Sequence, residues 1–121
     1  MIKGEFAQGF VLSWLDAWNS HDLDAIFSHY DDDFEMHSPL IVERLLNTKG
    51  ILKGKSEVGP YWSIGLRSNP PLKFELVEYF SGVNSISIVY KSIARKWVSE
   101  VLFFNAQGLV IKGFSHHGKP V

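Results

Sequence analysis

Apolar residues recur at helical spacing along the first part of the chain. Phe6, Phe10, Trp14 and Trp18 stand four positions apart, which places their side chains on one face of a helix. Val11, Leu15 and Ala17 widen this apolar stripe. We therefore predict an amphipathic helix from about Gly4 to Asn19.

Two further helices are predicted downstream. The segment NSHDLDAIFSHY indicates a turn and a short second helix, whose first N–H groups Ser20 or Asp22 can cap. A third helix is predicted from about Ser56 to Arg67, and the prolines of SNPP end it. Between these two helices, LIVERLLNTKGILKG shows no clear period and is predicted to be a loop.

The other segments alternate apolar and polar positions, as half-buried strands do. FEMHSP is predicted as a short first strand, and LKFELVEYF, SISIVYKSI, RKWVSEVLFF and LVIKGFSHH as longer ones. NAQG, a short glycine-containing turn, joins the last two into a hairpin. Helices followed by strands indicate an α+β fold, and we predict three N-terminal helices packed on a curved antiparallel sheet.

The stretch DDDFEMHSP concentrates acidic residues and a histidine, which raises the question of a metal site. Asp31 to Asp33 lack the glycine and final glutamate of a calcium loop. Glu35 and His37 share one strand face, but two ligands do not make a site. We predict that the aspartates close a helix and turn, that no metal binds, and that Glu35 and His37 face away from Phe34, Met36 and Ser38.

Composition narrows the class of protein. The chain has 121 residues, of which 45% are hydrophobic, and we expect a single domain over residues 1–121. Aromatic residues make up 14%, which is enough to fill a core, line an apolar cavity, or both. The formal net charge is -1 without a basic run, so we expect no nucleic-acid partner.

Several further classes of site are not expected. No apolar window is long enough for a membrane-spanning helix, and the N-terminus MIKGEFAQGF lacks a signal-peptide pattern; we expect a cytoplasmic protein with no membrane partner. The absence of cysteine excludes disulfides, zinc–thiolate sites and a cysteine nucleophile. Without a glycine-rich phosphate loop or a nucleophile elbow, no cofactor is expected.

Glu100 is the strongest candidate for chemistry. It stands in WVSEVLFF, which is otherwise apolar enough to be a central strand. Burial would disfavour its charged form and raise its pKa, which suits a general base or a neutral donor. Tyr90, at the end of the strictly alternating strand, could offer its hydroxyl to the same cavity. The alternative is a Glu100 side chain that faces solvent or pairs with a lysine or arginine.

His116 and His117 end the last strand, and alternation allows only one of them to share the face of Glu100. A bulge at Gly108 would select His116, whereas a plain four-residue NAQG loop would select His117. Either could form a proton relay with Glu100. The alternative is a solvated pair at the C-terminus, and the sequence does not choose between these possibilities.

The order of the motifs resembles a known superfamily over nearly the whole chain. The resemblance rests on WLDAWNSHDLDAIFSHYDDDF, SP, GILKGKSEVGPYW and SEVLFFNAQGLVIKG. They are similar to the nuclear transport factor 2-like superfamily, a cystatin-like α+β cone that includes SnoaL-like polyketide cyclases and ketosteroid isomerase. The nearest pattern is that of bacterial SnoaL-like proteins of unassigned activity. The resemblance implies a homodimer, through the outer sheet face, with an apolar pocket between sheet and helices.

The comparison with the isomerase can be made residue by residue. Its general base, tyrosine donor and protonated aspartate correspond by resemblance to Ser38, Trp14 and Glu100. A serine hydroxyl cannot replace a carboxylate as a base near neutral pH, and an indole N–H can only donate. Steroid isomerisation is therefore not expected here.

Two functional hypotheses follow. The first is an enzyme that performs cofactor-free acid/base chemistry on a small apolar, carbonyl-bearing molecule, with Glu100, Tyr90 and His116 or His117 as catalytic residues. The second is a module that binds a hydrophobic ligand without catalysis, or a dimeric accessory protein, which the serine at position 38 favours. Arg44 could clamp an anionic group at the pocket mouth. In either case the expected lining comprises Trp14, Trp18, Met36, Ser38, Arg44, Tyr61, Trp62 and Leu102.

Overall fold

The computed structural model describes residues 1–46, 49–93 and 95–120. Their helices are α1 (Gly4–Asn19), α2 (Leu23–Phe27), α3 (Pro39–Leu45) and α4 (Gly54–Leu66). Their strands are β1 (Tyr30–His37), β2 (Ile51–Lys53), β3 (Glu75–Ser81), β4 (Ser85–Lys91), β5 (Lys96–Phe104) and β6 (Val110–Pro120). The predicted α+β fold, with helices against a curved sheet, is confirmed.

The sheet of the described residues is mixed, with the strand order β2-β1-β6-β5-β4-β3. β3 to β6 form the predicted antiparallel part, whereas β1 lies parallel to β6. The prediction of a wholly antiparallel sheet was wrong at that one pairing. Alternation along FEMHSP shows which side chains share a face, but it carries no information about the direction of the neighbouring strand.

The segment predicted as a loop contains α3 and β2. Ser38 is the N-cap of α3, where its hydroxyl accepts a hydrogen bond from the Leu40 N–H at 3.2 Å, and Pro39 suits the first helical position. The helix ends at Leu45, and its C-cap Leu46 has a φ of 62°. Ile41 is its only buried residue, so this short apolar helix has no stripe to reveal it. Asn47 and Thr48 lie outside the described residues.

The acidic stretch belongs to β1 rather than to a helix end and turn. Between Tyr30 and Glu35 the pairing of β1 with β6 shifts, and the Asp33 N–H donates to the Asp31 carboxylate at 3.1 Å. Phe34 is fully buried, while Glu35 lies on the other face. The predicted division of faces is confirmed, and the irregular pairing explains why three aspartates fit into a strand.

The core lies between α1 and the concave face of the sheet. Asp22 caps α2 through its carboxylate, which accepts from the Ala25 N–H at 3.1 Å. On α1 the buried positions follow the predicted stripe, although Phe6 is 37% exposed. Burying a large apolar side chain contributes about 1.5–3 kcal/mol, so this face holds α1 on the sheet. The fully buried side chains include Trp14, Phe34, Ile26, Ile86, Ile88 and Leu102.

Candidate functional site

A cavity of about 620 Å³ lies between the helices and the concave face of the sheet. Aromatic side chains form much of its wall. Polar groups enter it from β4, β5 and β6. Its lining includes Trp14, Trp18, Tyr30, Met36, Ser38, Glu43, Arg44, Tyr61, Trp62, Phe74, Tyr90, Lys96, Val98, Glu100, Ser115 and His117.

Glu100 lies in the sheet wall of this cavity. Val98, Glu100 and Leu102 alternate on the buried face of β5, and Ser115 stands directly opposite Glu100 on β6. The Glu100 carboxylate accepts two hydrogen bonds, one from the Tyr90 hydroxyl at 3.0 Å and one from the Ser115 hydroxyl at 2.7 Å. Glu100 is therefore buried and oriented by its two neighbouring strands.

The environment of Glu100 shifts its pKa into the neutral range. Burial raises its pKa to about 7, and the hydrogen bonds from Ser115 and Tyr90 oppose that rise because they stabilise the carboxylate. A carboxyl with this pKa is populated in both forms at neutral pH. The group can therefore take up a proton or give one away, as a general base or acid must.

Two buried tyrosines flank this carboxyl. Burial raises the pKa of Tyr90 well above its ordinary value, and the adjacent Glu100 charge raises it further. Burial likewise raises the pKa of Tyr30, opposed by the Trp14 indole N–H and reinforced by the Glu100 charge. Both phenols stay protonated at neutral pH, so they act as hydrogen-bond donors.

A hydrogen bond from Trp14 orients the Tyr30 hydroxyl. Its indole N–H donates to the Tyr30 oxygen at 2.9 Å, and an indole N–H can only donate. The Tyr30 oxygen is thus used as an acceptor, and its own proton can be donated to a molecule in the cavity. The nearby indole nitrogen of Trp18 is buried and has no hydrogen-bond partner among the described residues.

The hairpin pairing decides between the two histidines. His117 pairs with Val98 and lines the cavity, whereas His116 pairs with Ser99 on the other face. The pairing of Phe104 with Val110 leaves a five-residue connection, and a second irregularity near Ile111 shifts the register again. Each of these two features shifts the pairing by one residue relative to a plain four-residue NAQG loop. Together they leave the alternation of such a loop unchanged, so that His117 shares the face of Glu100.

His117 lies beside positive charge at the rim of the cavity. Partial burial lowers its pKa, and the charges of Lys96 and Arg44 lower it further. Its ring is therefore mainly neutral at pH 7. Ser115, and not a histidine, is the group of β6 that contacts the Glu100 carboxylate.

Most of the expected lining residues surround the cavity, namely Trp14, Trp18, Met36, Ser38, Arg44, Tyr61 and Trp62. Leu102 does not: it is fully buried, and both it and Met36 pack closely around Gly113. His116 instead borders a smaller hollow of about 290 Å³ with His37. Alternation places Leu102 on the inner face, but only the packing around Gly113 shows that it is covered.

Sequence reasoning missed three groups that shape the cavity, Tyr30, Phe74 and Ser115. Tyr30 ends the segment NSHDLDAIFSHY, which was predicted as a turn and short helix, whereas it begins β1 and meets Trp14 across the core. Ser115 could have been found only from the correct hairpin register. Within the described residues, no group of three or more histidine or acidic side chains could hold a metal ion.

The comparisons with known proteins agree with this architecture. The sequence model of the SnoaL-like domain family matches residues 11–116. The chain belongs to the SnoaL-like family. No described helix has both the length and the apolar character needed to cross a membrane. Among curated proteins, none matches.

Solved structures place this SnoaL-like protein among relatives of varied description. A SnoaL-like protein of unknown function from Burkholderia thailandensis is 44% identical, with 98% of each chain covered and a TM-score of 0.94. A protein of unknown function with a cystatin-like fold from Methylobium petroleophilum is 11% identical, covering 99% of this chain and 80% of its own, with a TM-score of 0.78. A candidate isomerase of the SnoaL-like family from Agrobacterium tumefaciens is 12% identical, covering 95% and 99%, with a TM-score of 0.74.

Proposed function

We propose that this SnoaL-like protein is an enzyme that moves a proton on a small apolar, carbonyl-bearing molecule without a cofactor. The observation that carries the proposal is the Glu100 carboxyl, which is buried in the wall of an aromatic cavity with its pKa raised to about 7. The description of the Agrobacterium relative as a candidate isomerase is compatible with it.

The proposed chemistry begins with Glu100 as the base. Its carboxylate removes a proton from the carbon next to the carbonyl, and the electron pair moves onto the carbonyl oxygen as an enolate. Tyr30 donates its free O–H to that oxygen, since the Trp14 N–H occupies the Tyr30 oxygen. Protonated Glu100 then returns the proton to the same carbon or to a neighbouring one, which exchanges or isomerises the substrate.

Ser38 has no part in this proton transfer. Its hydroxyl accepts from the Leu40 N–H and caps α3, and a serine is not a base at neutral pH. Glu100 would therefore have to serve as base and acid in turn. The difference from ketosteroid isomerase lies in which position supplies the base, because Glu100 corresponds by resemblance to the protonated aspartate that donates to the oxyanion there.

Hydrogen–deuterium exchange of 2-tetralone tests the proposal. This apolar ketone has acidic protons beside its carbonyl, and ¹H NMR in D₂O follows their loss. We expect the protein to accelerate exchange over buffer, and Glu100→Gln to reduce the protein-dependent rate on the order of 10²-fold, the contribution expected of a general base. Glu35→Gln removes a carboxylate from the opposite face of the sheet and should leave the rate unchanged.

Two results would contradict the enzymatic proposal. An unchanged exchange rate in Glu100→Gln would show that Glu100 is not the base. A wild-type rate equal to that of buffer would favour the second candidate, a module that binds a hydrophobic ligand without catalysis. That second candidate is supported by Ser38, which supplies a helix cap where the isomerase has a carboxylate.

We also propose that two copies associate through the outer face of the sheet. Phe80 is 59% exposed and Trp97 is 39% exposed, and Val101 lies on the outward side of β5 between inward-facing Glu100 and Leu102. An extended apolar surface of this kind is typical of association sites. The homodimer would leave the cavity, on the other face, open to its ligand.

A further inference from the structure

One end of the cavity carries positive charge supplied by two separate elements. Arg44 on α3 and Lys96 at the start of β5 both line the cavity and are exposed. Along β5 the side chains pass from exposed Lys96 to buried Val98 and then to buried Glu100. Lys96 and Arg44 therefore mark the mouth, and Glu100 lies further inside.

Among the residues that the structure describes, no direct ion pair neutralises these two cations. The ion pairs found among the described residues join His37 to Glu35 and Lys55 to Asp32, and neither includes Arg44 or Lys96. Glu43 also lines the mouth, so its single negative charge offsets only one of the two positive charges. With His117 neutral, the described residues Arg44, Lys96 and Glu43 give the mouth a formal charge of +1.

The pKa values of His117 and Tyr61 respond to nearby positive charge at the mouth. The pKa of His117 is lowered by partial burial and then by Lys96 and Arg44, which approach it from different elements. Burial raises the pKa of Tyr61, and the Arg44 guanidinium beside its hydroxyl opposes that rise. Arg44 is therefore close to the Tyr61 phenol and to the His117 imidazole, both of which line the cavity with it.

The wall between this mouth and Glu100 is apolar. Trp18 and Trp62 pack edge to face at 4.9 Å between ring centroids, and Phe74 lies against Tyr90 at 4.1 Å. A ligand that enters between these rings gains from burying apolar surface. A ligand with a charge at one end and an apolar body would match both parts.

We propose that the ligand is an amphipathic carboxylate whose charged group binds Arg44 and Lys96 at the mouth while its apolar body extends towards Glu100. Guanidinium groups suit carboxylates because their N–H donors match both oxygens. A single negative charge also balances the formal charge of the mouth. The inference rests on the proposed function, since it names the substrate class of the same cavity.

A matched pair of probes tests this inference. 2-Naphthoate and 2-naphthamide have nearly the same shape and differ in charge, and ¹H–¹⁵N NMR titration can follow the indole N–H signals of Trp14, Trp18 and Trp62. We expect the wild-type protein to bind naphthoate at least tenfold more tightly than the amide. Arg44→Gln and Lys96→Gln should each reduce that ratio several-fold, and the double variant should bring it close to one without weakening the amide.

Lys112→Gln is the control, because Lys112 is exposed on β6 and does not line the cavity. It should keep the wild-type ratio, and an equal loss in this variant would overturn the proposed contact at the mouth. Equal affinity of the two probes in the wild-type protein would overturn the carboxylate inference and leave the acid/base proposal standing. If neither probe moved the indole signals up to its solubility limit, both proposals would fail.

Discussion

Glu100 combines two opposing influences within one side chain. Burial favours its protonated form, while the hydroxyl groups of Tyr90 and Ser115 stabilise its carboxylate. The result is a pKa of about 7, at which neither form is strongly preferred in neutral solution. This balance is sensitive to single substitutions, and two predictions follow at this scale.

Tyr90→Phe should raise the pKa of Glu100 above its wild-type value. The substitution removes a donor that stabilises the carboxylate and leaves the ring in place, so burial is little changed. A ¹³C NMR titration of the Glu100 carboxyl measures the shift. Tyr79→Phe, which removes a half-buried phenol that does not line the cavity, should leave the titration unchanged; a shift of equal size there, or none in Tyr90→Phe, would refute the assignment.

Stability should depend on pH through Glu100. Because its pKa is raised in the folded state to about 7 from 4.5, the folded protein binds more protons between these values, and its free energy of unfolding falls as pH rises through them. The loss should be about 3 kcal/mol at most, given 1.36 kcal/mol per pKa unit. Urea unfolding of the wild-type protein and Glu100→Gln from pH 4 to 8 isolates this contribution, and a constant difference between them would be incompatible with the shifted group.

The elements differ in how clearly the sequence predicts them. In α1 and β4 the apolar residues recur regularly over the whole element, and the bounds of both elements were predicted closely. α3 was missed because its apolar residues form no stripe, and β2 because it has only three residues. The parallel pairing of β1 with β6 depends on the path of the whole chain, which local alternation does not encode.

The site was predictable only where a local sequence pattern marks its residues. Glu100 stood out because a carboxylate in an apolar strand needs an explanation, and its neighbours on the sheet follow from strand pairing. The choice of His117 required two one-residue offsets that cancel, namely the five-residue connection between Phe104 and Val110 and the register shift near Ile111. The Trp14–Tyr30 contact required the crossing of α1 over β1, which no local pattern shows.

Gly113 on β6 should be intolerant of a side chain. A Cβ there would lie 3.0 Å from the Met36 sulfur and 3.1 Å from Leu102, closer than ordinary van der Waals contact, so these neighbours would have to shift. We expect Gly113→Ala to lower the free energy of unfolding by about 1–3 kcal/mol, the range for overpacking, as measured by urea unfolding.

Gly9→Ala on α1 is the matched control, because a Cβ there meets nothing within 4 Å. Alanine favours the helix interior over glycine, so this variant should be more stable by about 0.5–1 kcal/mol. A Gly113→Ala protein as stable as the wild type would show that β6 does not pack closely against Met36 and Leu102.

At the scale of the whole molecule, the two faces of the sheet carry two different proposed sites, the ligand cavity and the dimer interface. The concave face and the helices enclose the cavity, with Glu100 inside and Arg44 and Lys96 at the mouth. The outer face carries apolar side chains that the helices do not cover. This division separates the proposed chemistry from the proposed association, so each can be tested without disturbing the other.

The proposed homodimer predicts a solution mass of twice 13.7 kDa by light scattering at micromolar concentration. Val101→Lys should shift the mass towards the monomer, because it places a charge on the outward side of β5. Leu12→Lys makes the same kind of change at an exposed position of α1 and should leave the dimer intact. A monomeric wild-type protein would rule out the proposal.

The most direct test of the proposed chemistry is the protonation of Glu100 itself. In ¹³C NMR of the wild-type protein, with Glu100 assigned by comparison with Glu100→Gln, we predict that its carboxyl titrates with a pKa of about 7. Burial in the cavity wall raises this pKa, and the hydrogen bonds from Ser115 and Tyr90 offset only part of the rise. A titration near the ordinary value of about 4.3 would contradict the central claim that Glu100 is the group that gives and takes the proton.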